Sequence, residues 1–575
     1  MSKEAKISNV FLIYGASILS FLFFSLLFTS IGFFLGIPIT VQHFHITLIF
    51  TLGFTAISCH ILIRKKVIQN FILITVFLGS TFLLSISISQ HFYDLSYDGQ
   101  ASHQEAVFQL ANGWNPFYKQ VDSLETNNLH RWLNTYTKGT WIYEAIVFKV
   151  TGDMESAKLF HPWLILANFC LTFSFLLKFR YLSPYIIFFL SLLVAFNPVS
   201  MYQSLSFYLD GQLMSLLVML MVTLGYIYTE DKNYYYCLLF LVIPVLVNTK
   251  LTAGAYTAIF LLGLMVMLWR KRNRSGLKKV FLVGAAASAM GFFLIGMNPY
   301  ITNAITHGNP FYPVFGSDHH ELYREMNMPG NFQDKSSVVI LFQSIFSKSD
   351  NVRFSNSRAE LKIPFTIVKG ELDAFTNTNA KEGGFGPFFG GAIILSFLMI
   401  GISWITAYRE KKRSKEKDNA GGTQKAPLGY FQNGIFCLAV VLISCVINPV
   451  SSLARFVPQM WLFPIFSILL ACRFKNKFLK IIGKITILVL FANVLLIGVS
   501  YYGYNLSTTE IYNRTLQEMA VMSKQDPLEI YFGHFKTSGT LRFDKFGIHY
   551  EIIQKKEACQ DGQRILPNSI LLKRP

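Results

Sequence analysis

The feature that most constrains this chain is a succession of long apolar stretches, each closed by a charged or polar break. A helix crossing a hydrocarbon core needs roughly 20 predominantly apolar residues, because each residue advances it by only about 1.5 Å. Stretches approaching or exceeding that length run from Val10 to Phe34, Ile46 to Ile63, Val67 to Ile88, Leu159 to Leu177, Leu213 to Tyr228, Ala253 to Trp269, Val280 to Met297, Phe389 to Tyr408 and Ile481 to Tyr501. Shorter ones begin at Tyr185, Tyr234, Ile435 and Trp461, and these need flanking aromatic or polar residues to complete a crossing. A composition 52% hydrophobic and 14% charged suits lipid as a solvent and not an ordinary aqueous surface. The pattern predicts an all-α polytopic membrane protein with about 11–13 transmembrane helices. The first stretch is longer than a signal-peptide core and lacks a small-residue cleavage site, so it reads as a retained span.

The formal net charge of +19 raises the question of a nucleic-acid partner, and the position of the cations argues against one. Arg64-Lys65-Lys66, Arg270-Lys271-Arg272 with Lys278 and Lys279, Arg409 with Lys411 to Arg413, and Arg473 with Lys475 and Lys477 fall in short loops between spans. Loops poor in Lys and Arg alternate with them. Basic loops stay on the cytoplasmic side of a membrane, which predicts a cytoplasmic N-terminus and a solvated cytoplasmic linker at 409–428. The chain is therefore expected in the cell (plasma or inner) membrane, in contact with membrane lipids. The seven cysteines show neither metal-ligand spacing nor a disulfide framework. No metal site is read, and a divalent cation is allowed but not required.

This orientation places large loops at 89–157 and 298–388 outside, together with several short connections and the tail. The expected organisation is a multi-span body, 1–501, and a small α/β appendage outside the membrane, 502–575. In the appendage Ser507 and Glu510 have capping-box spacing for a helix toward Met522, and short strand-like stretches follow at Glu529–Phe532 and Tyr550–Ile553. Asn-Pro pairs at 197–198, 298–299 and 448–449 predict outer helix ends, since proline cannot continue the hydrogen-bond ladder.

The unusual polar residues collect on this outer side. Asp94 and Asp98 lie where the third span leaves the membrane. A short amphipathic helix from Gln100 to Leu110 and a Gly113-Trp114-Asn115-Pro116 turn follow. A carboxylate at the edge of low-dielectric material is suited to general-base work, although loop aspartates are more often helix caps. Asp98-Gly99-Gln100 recurs as Asp210-Gly211-Gln212 at another outer boundary. Lys250 and Arg455 are isolated cations in outer connections that otherwise avoid charge. Anion binding would account for them, as would snorkelling or pairing with Asp210. Gln100, His103 and, in His307-Gly308-Asn309-Pro310, His307 are further candidates for substrate contact. The Gly/Pro-rich segment Gly383 to Phe388 is a turn or a cavity lining.

The order from Asp98 through the interfacial helix to Gly113-Trp114-Asn115-Pro116 resembles the catalytic element of the GT-C class of membrane glycosyltransferases, which includes protein O-mannosyltransferases and lipid A aminoarabinose transferases. The sequence departs from that pattern in two ways. The key loop follows the third span and not the first, and the acidic pair that is often adjacent in the family is broken here by Gly99. Asp94 therefore stays beside Asp98 as a candidate base. The resemblance implies transfer of a hexosyl or pentosyl group from a polyprenyl-phosphate-linked donor to a glycan, lipid or protein acceptor in cell-envelope glycan biosynthesis. It implies an acidic base, Asp98 or Asp94, and the residue readings above add Asp210, Lys250, Arg455, His103, Gln100 and His307 as the groups expected to bind substrate. A polysaccharide polymerase or ligase using the same donors, and a multi-span transporter, are the alternatives. Neither the matched halves nor the mid-membrane charge relay of a transporter is visible.

Overall fold

The computed structural model describes residues 3–122, 129–314, 328–351, 357–418, 427–554, 556, 563–565 and 570–572. Ten of its helices are long and apolar enough to cross a membrane, and three shorter apolar helices, Pro184–Ala195, Asn233–Thr249 and Pro458–Cys472, pack among them. These thirteen helices coincide with the apolar stretches of the sequence. The stretch beginning at Ile435 reaches full length because its helix starts earlier, at Leu428. The protein is an all-α polytopic membrane protein.

Its packing is inside-out relative to a soluble bundle. The Val41–Leu62 and Val67–His91 helices turn Ile49, Ile57, Ile68, Leu73, Val76 and Leu83 outward, while Thr47, Thr51, Thr55, Ser58, Thr81 and Ser85 are buried. Small hydroxyl residues let helices approach closely and bond across the seam. Ser17 Oγ lies 2.7 Å from Thr55 Oγ1, and Tyr14 Oη lies 2.7 Å from Thr81 Oγ1. The first span and the Asp210–Glu230 helix form the centre, with 78% and 83% of their apolar windows buried.

One end of the bundle carries the basic loops, where Lys178 Nζ meets Glu230 Oε1 at 2.5 Å and Asn273 Nδ2 donates to Asp231 Oδ2 at 2.8 Å. The opposite end carries the candidate residues. Two of the three Asn-Pro pairs turn the chain there: Asn197 Oδ1 accepts the Ser200 N–H at 3.0 Å, and Asn448 Oδ1 accepts the Val450 N–H at 3.0 Å. The third does not end its helix. Asn298 and Pro299 sit in a kink, and the chain resumes a helix through Thr302–His307.

Two further features differ from the sequence expectation. The 89–157 loop contains a helix, Gly139–Thr151, buried from Gly139 to Val147. At 13 residues it is too short to span, and Glu144 within it breaks the apolar signal. The second difference is at Ser507, which starts no helix: its hydroxyl donates to the Tyr504 carbonyl inside a 46-residue helix, Lys477–Met522. Tyr501, Asn505, Thr509, Tyr512, Leu516 and Met519 are buried at spacings of four or three, and this stripe carries the helix through residues 501 and 502.

Beyond Met522 lies a four-stranded sheet: β1 (Leu528–Tyr531), β2 (Tyr550–Ile552), β3 (Gln563–Ile565) and β4 (Ile570–Leu572), in the order β2-β1-β4-β3. β1 and β2 are parallel and the other pairings antiparallel, with helix Lys536–Phe546 as the β1–β2 crossover. Ile530, Phe532, Phe535, Phe543 and Ile570 share one core with Tyr512, Leu516 and Met519 of the long helix and with Tyr93 and Ala101.

Candidate active site

Asp94 is 0% exposed, and both carboxylate oxygens are occupied. Oδ1 accepts the Ser96 N–H at 2.8 Å and the Ser96 hydroxyl at 2.6 Å, and Oδ2 accepts the Phe207 N–H at 2.9 Å. Burial pushes its pKa up to about 6, against the pull of Lys158 and Ser96. A carboxylate so enclosed holds the surrounding backbone, in contrast to the partly exposed Asp98. Gly99 explains the broken acidic pair: a Cβ there would lie 2.0 Å from Asp94 Oδ2 and 2.2 Å from Ser96 Oγ. Gly99→Ala is expected to cost about 1–3 kcal/mol by overpacking, seen as a lowered thermal midpoint in detergent.

Asp98 is partly exposed and precedes a π-helical turn, Gly99–His103, that runs into helix Gln104–Ala111. Turns of this kind recur at functional sites. The Gly-Trp-Asn-Pro turn anchors the element, Asn115 Nδ2 donating to the Phe33 carbonyl at the end of the first span at 2.9 Å. The buried Tyr208 hydroxyl donates to the Asp98 carboxylate; burial and then Asp98 hold this phenol well above its ordinary pKa. His103 Nδ1 accepts the Trp141 indole N–H at 2.9 Å, which assigns the remaining ring proton to Nε2. The imidazole lies edge-on to Tyr208, 6.1 Å between ring centres.

Burial lowers the His103 pKa to about 4, with Asp98 and Asp210 opposing and Arg455 and Lys250 reinforcing. The unfolded chain therefore binds a proton that the folded chain does not between about pH 6.5 and pH 4. Stability should be fully present above that window and fall as pH drops through it. His103→Gln, which can still accept from Trp141, is expected to flatten this part of the pH–stability curve measured by denaturation.

Asp210 opens the Asp210–Glu230 helix, where the helix dipole favours negative charge. Lys250 Nζ bonds its Oδ1, Arg455 Nη1 lies 3.3 Å from Oδ2, and Gln203 Nε2 donates to Oδ2 at 3.2 Å. Asp210, Lys250 and Arg455 are 2%, 7% and 9% exposed. The Arg455 guanidinium stands 5.2 Å over the Tyr208 ring and 4.7 Å over Phe456, and Lys250 Nζ stands 4.2 Å over Phe456. Burial lowers the Lys250 pKa while Asp210 raises it. Two cations share one carboxylate, and Tyr208 links them to Asp98. A cavity of about 110 Å³ adjoins Lys250, with Thr252, Tyr256 and Asn448 among apolar walls that include Leu251, Val450 and Phe456.

The structure thus brings together Asp98, His103, Asp210, Lys250 and Arg455, and leaves two candidates out. Gln100 is buried, donating to the Ser96 carbonyl at 3.0 Å and accepting from Arg542 Nη1 at 2.7 Å, so it links this loop to the appendage. His307 stacks on Tyr312 at an exposed helix end, 3.9 Å between ring centres, outside the group. Gly383 and Gly386 adopt left-handed φ values of +56° and +103° in a turn held by Asn493, whose Oδ1 accepts the Phe388 N–H at 2.9 Å.

Several contributors carry no sequence signal of their own. Tyr202 is buried beside Asp210 and Arg455, and its hydroxyl has no hydrogen-bond partner among the described residues. Lys138 sits between Trp114 and Trp141, 5.7 Å from each ring, donating to the Asn134 and Tyr136 carbonyls; burial holds its pKa well below the ordinary value. Arg542 reaches in from the appendage, 3% exposed. Its Nη2 donates to Glu155 Oε1 at 2.7 Å and to the Asp94 carbonyl at 3.0 Å, and its guanidinium lies 4.9 Å from the centre of the Tyr93 ring. Only Tyr208 had a visible marker, a Tyr shortly before each Asp-Gly-Gln. Among the described residues no group of three or more His, Cys, Asp or Glu side chains is placed to hold a metal ion.

No family model matches the sequence, and no curated protein matches it. Among solved structures, the chain is similar to the crystal structure of ArnT from Cupriavidus metallidurans bound to undecaprenyl phosphate. The two share 10% sequence identity over 83% of this chain and 85% of that one, with a TM-score of 0.34.

Proposed function

We propose that this protein is a membrane glycosyltransferase that moves a sugar from a polyprenyl-phosphate-linked donor to a hydroxyl of a glycan, lipid or protein acceptor on the non-cytoplasmic side. The observation that carries the reading is the pair of buried cations, Lys250 and Arg455, both on the Asp210 carboxylate and joined through Tyr208 to a partly exposed Asp98.

In this reading Asp98 takes the proton of the acceptor hydroxyl as its oxygen attacks the anomeric carbon. The bond from that carbon to the phosphate oxygen breaks, and the electron pair leaves with the lipid phosphate. Negative charge grows there in the transition state, where fixed cations in a partly dehydrated site stabilise it most. Arg455 offers a planar fork to the phosphate and Lys250 a point charge, while Asp210 keeps the two apart and oriented. The apolar cavity beside Lys250 suits the first isoprene units of the lipid. His103, neutral at pH 7 with its Nε2–H available, suits a hydrogen bond to a sugar hydroxyl.

Purified protein incubated with a panel of radiolabelled polyprenyl-phosphate sugars tests the reading. It expects one donor to release its lipid phosphate in step with labelled product, and Asp98→Asn to stop both. Turnover of an identified donor at the wild-type rate by Asp98→Asn would refute the assignment of the base.

A further inference from the structure

At the opposite end of the bundle is a much larger cavity, about 940 Å³, with the dimensions of a small-molecule site. Six cations line it: Lys6 from the first helix, Arg64, Lys65 and Lys66 from the turn between the second and third spans, Lys178, and Lys232. No carboxylate is among the lining residues, and Glu230 beside them pairs with both Lys178 and Lys232. Among the described residues Lys6, Arg64, Lys65 and Lys66 have no carboxylate partner.

The turn presents its charges by an uncommon backbone route. Arg64 and Lys66 are both left-handed, φ 61° and 53°, and the Ile63 and Arg64 N–H groups both bond the Cys59 carbonyl. Three basic side chains elsewhere at this end lie over aromatic rings. Lys271 lies 4.8 Å from the centre of the Tyr228 ring, Lys279 lies 5.2 Å from that of Tyr236, and Arg473 lies 4.0 Å from that of Tyr430. Like charges gathered around one cavity repel unless an anion sits among them. The wall also includes Ile61, Leu62 and Ile63, and Ile61 continues, with Ile57, onto the outward apolar surface of the second span.

We infer that this cavity binds the phosphate-bearing headgroup of an anionic phospholipid from the leaflet at that end, with Arg64, Lys65 and Lys66 on the phosphate and the Ile57–Ile61 surface along the acyl chain. A phosphate ester is the anion that a cavity lined by six cations and no carboxylate would recognise, and the contiguous apolar surface favours one that carries a lipid tail. The site is independent of the transfer chemistry proposed at the other end.

The test uses the full chain in neutral detergent, titrated with phosphatidylglycerol, cardiolipin, phosphatidylcholine or inorganic phosphate and followed by native mass spectrometry. Retained phosphatidylglycerol or cardiolipin is expected, with phosphatidylcholine binding much more weakly. A triple variant Arg64→Asn, Lys65→Gln, Lys66→Asn, whose asparagines tolerate the left-handed backbone, should weaken retention roughly a hundredfold. A control triple at another exposed basic loop, Arg272→Asn, Arg274→Gln, Lys278→Gln, should not. Equal weakening by both triples would reduce the effect to general surface charge and overturn the site. Displacement of the lipid by millimolar phosphate, or equal retention of phosphatidylcholine, would overturn the lipid assignment. Thermal midpoints of both variants without lipid check that each is folded.

Discussion

Asp98→Asn is expected to lower kcat for sugar transfer by about 10²–10⁴-fold, the usual contribution of a positioned general base. The substitution keeps the side chain's shape and an oxygen that can accept the Tyr208 hydroxyl, so the site should stay assembled. The KM for donor should change little, because the proposed phosphate contacts, Lys250 and Arg455, are untouched. Initial rates with an identified donor give both numbers, and a raised KM with unchanged kcat would move Asp98 from base to binding residue. Asp94→Asn is the instructive companion. It leaves an NH₂ or a weakened acceptor against the Ser96 and Phe207 N–H groups, so its loss should appear in the thermal midpoint as well as in the rate.

Arg542→Gln is expected to have the largest effect on stability, because it removes one member of a buried ion pair and strands part of Glu155. Breaking such a pair costs about 3–5 kcal/mol, and Lys158, 2.5 Å from the other Glu155 oxygen, offsets some of that. The same change frees the Gln100 amide and the Asp94 carbonyl, both within four residues of Asp98. Thermal denaturation should show the loss, and hydrogen exchange should show faster labelling at residues 94–104. Arg542→Lys keeps the charge without the planar fork and should fall between the two. Unchanged exchange in Arg542→Gln would mean that the appendage merely rests on this loop.

What could be read in advance followed from how directly lipid and charge constrain a chain. Thirteen apolar stretches became thirteen helices, because a segment in hydrocarbon must satisfy its backbone internally. The cluster of Asp98, His103, Asp210, Lys250 and Arg455 was also legible, since charges in apolar connections need partners. The misses are long-range. Arg542 is an ordinary helix residue until the fold carries it 448 positions back to Asp94. Asp94 and Asp98 are locally equivalent, and the Phe207 N–H, 113 residues away, helps bury the first of them. Nothing near Gln100 in sequence shows that its amide oxygen accepts from the Arg542 guanidinium. At Ser507 a good local capping signal lost to a buried stripe running from Tyr501 to Met519.

That stripe makes the last span and the stalk of the appendage one rod, without a hinge at the bilayer boundary. At about 1.5 Å per residue the 46-residue helix is roughly 69 Å long, more than twice the thickness of a hydrocarbon core. A span tilts when bilayer thickness changes, and over the 22 residues from Tyr501 to Met522 a tilt of about 10° swings the far end by roughly 6 Å. Tyr512 on that arm packs edge-on to Tyr93, 5.0 Å between ring centres, five residues before Asp98. One packed aromatic pair therefore ties the rod of the last span to the segment that leads into Asp98.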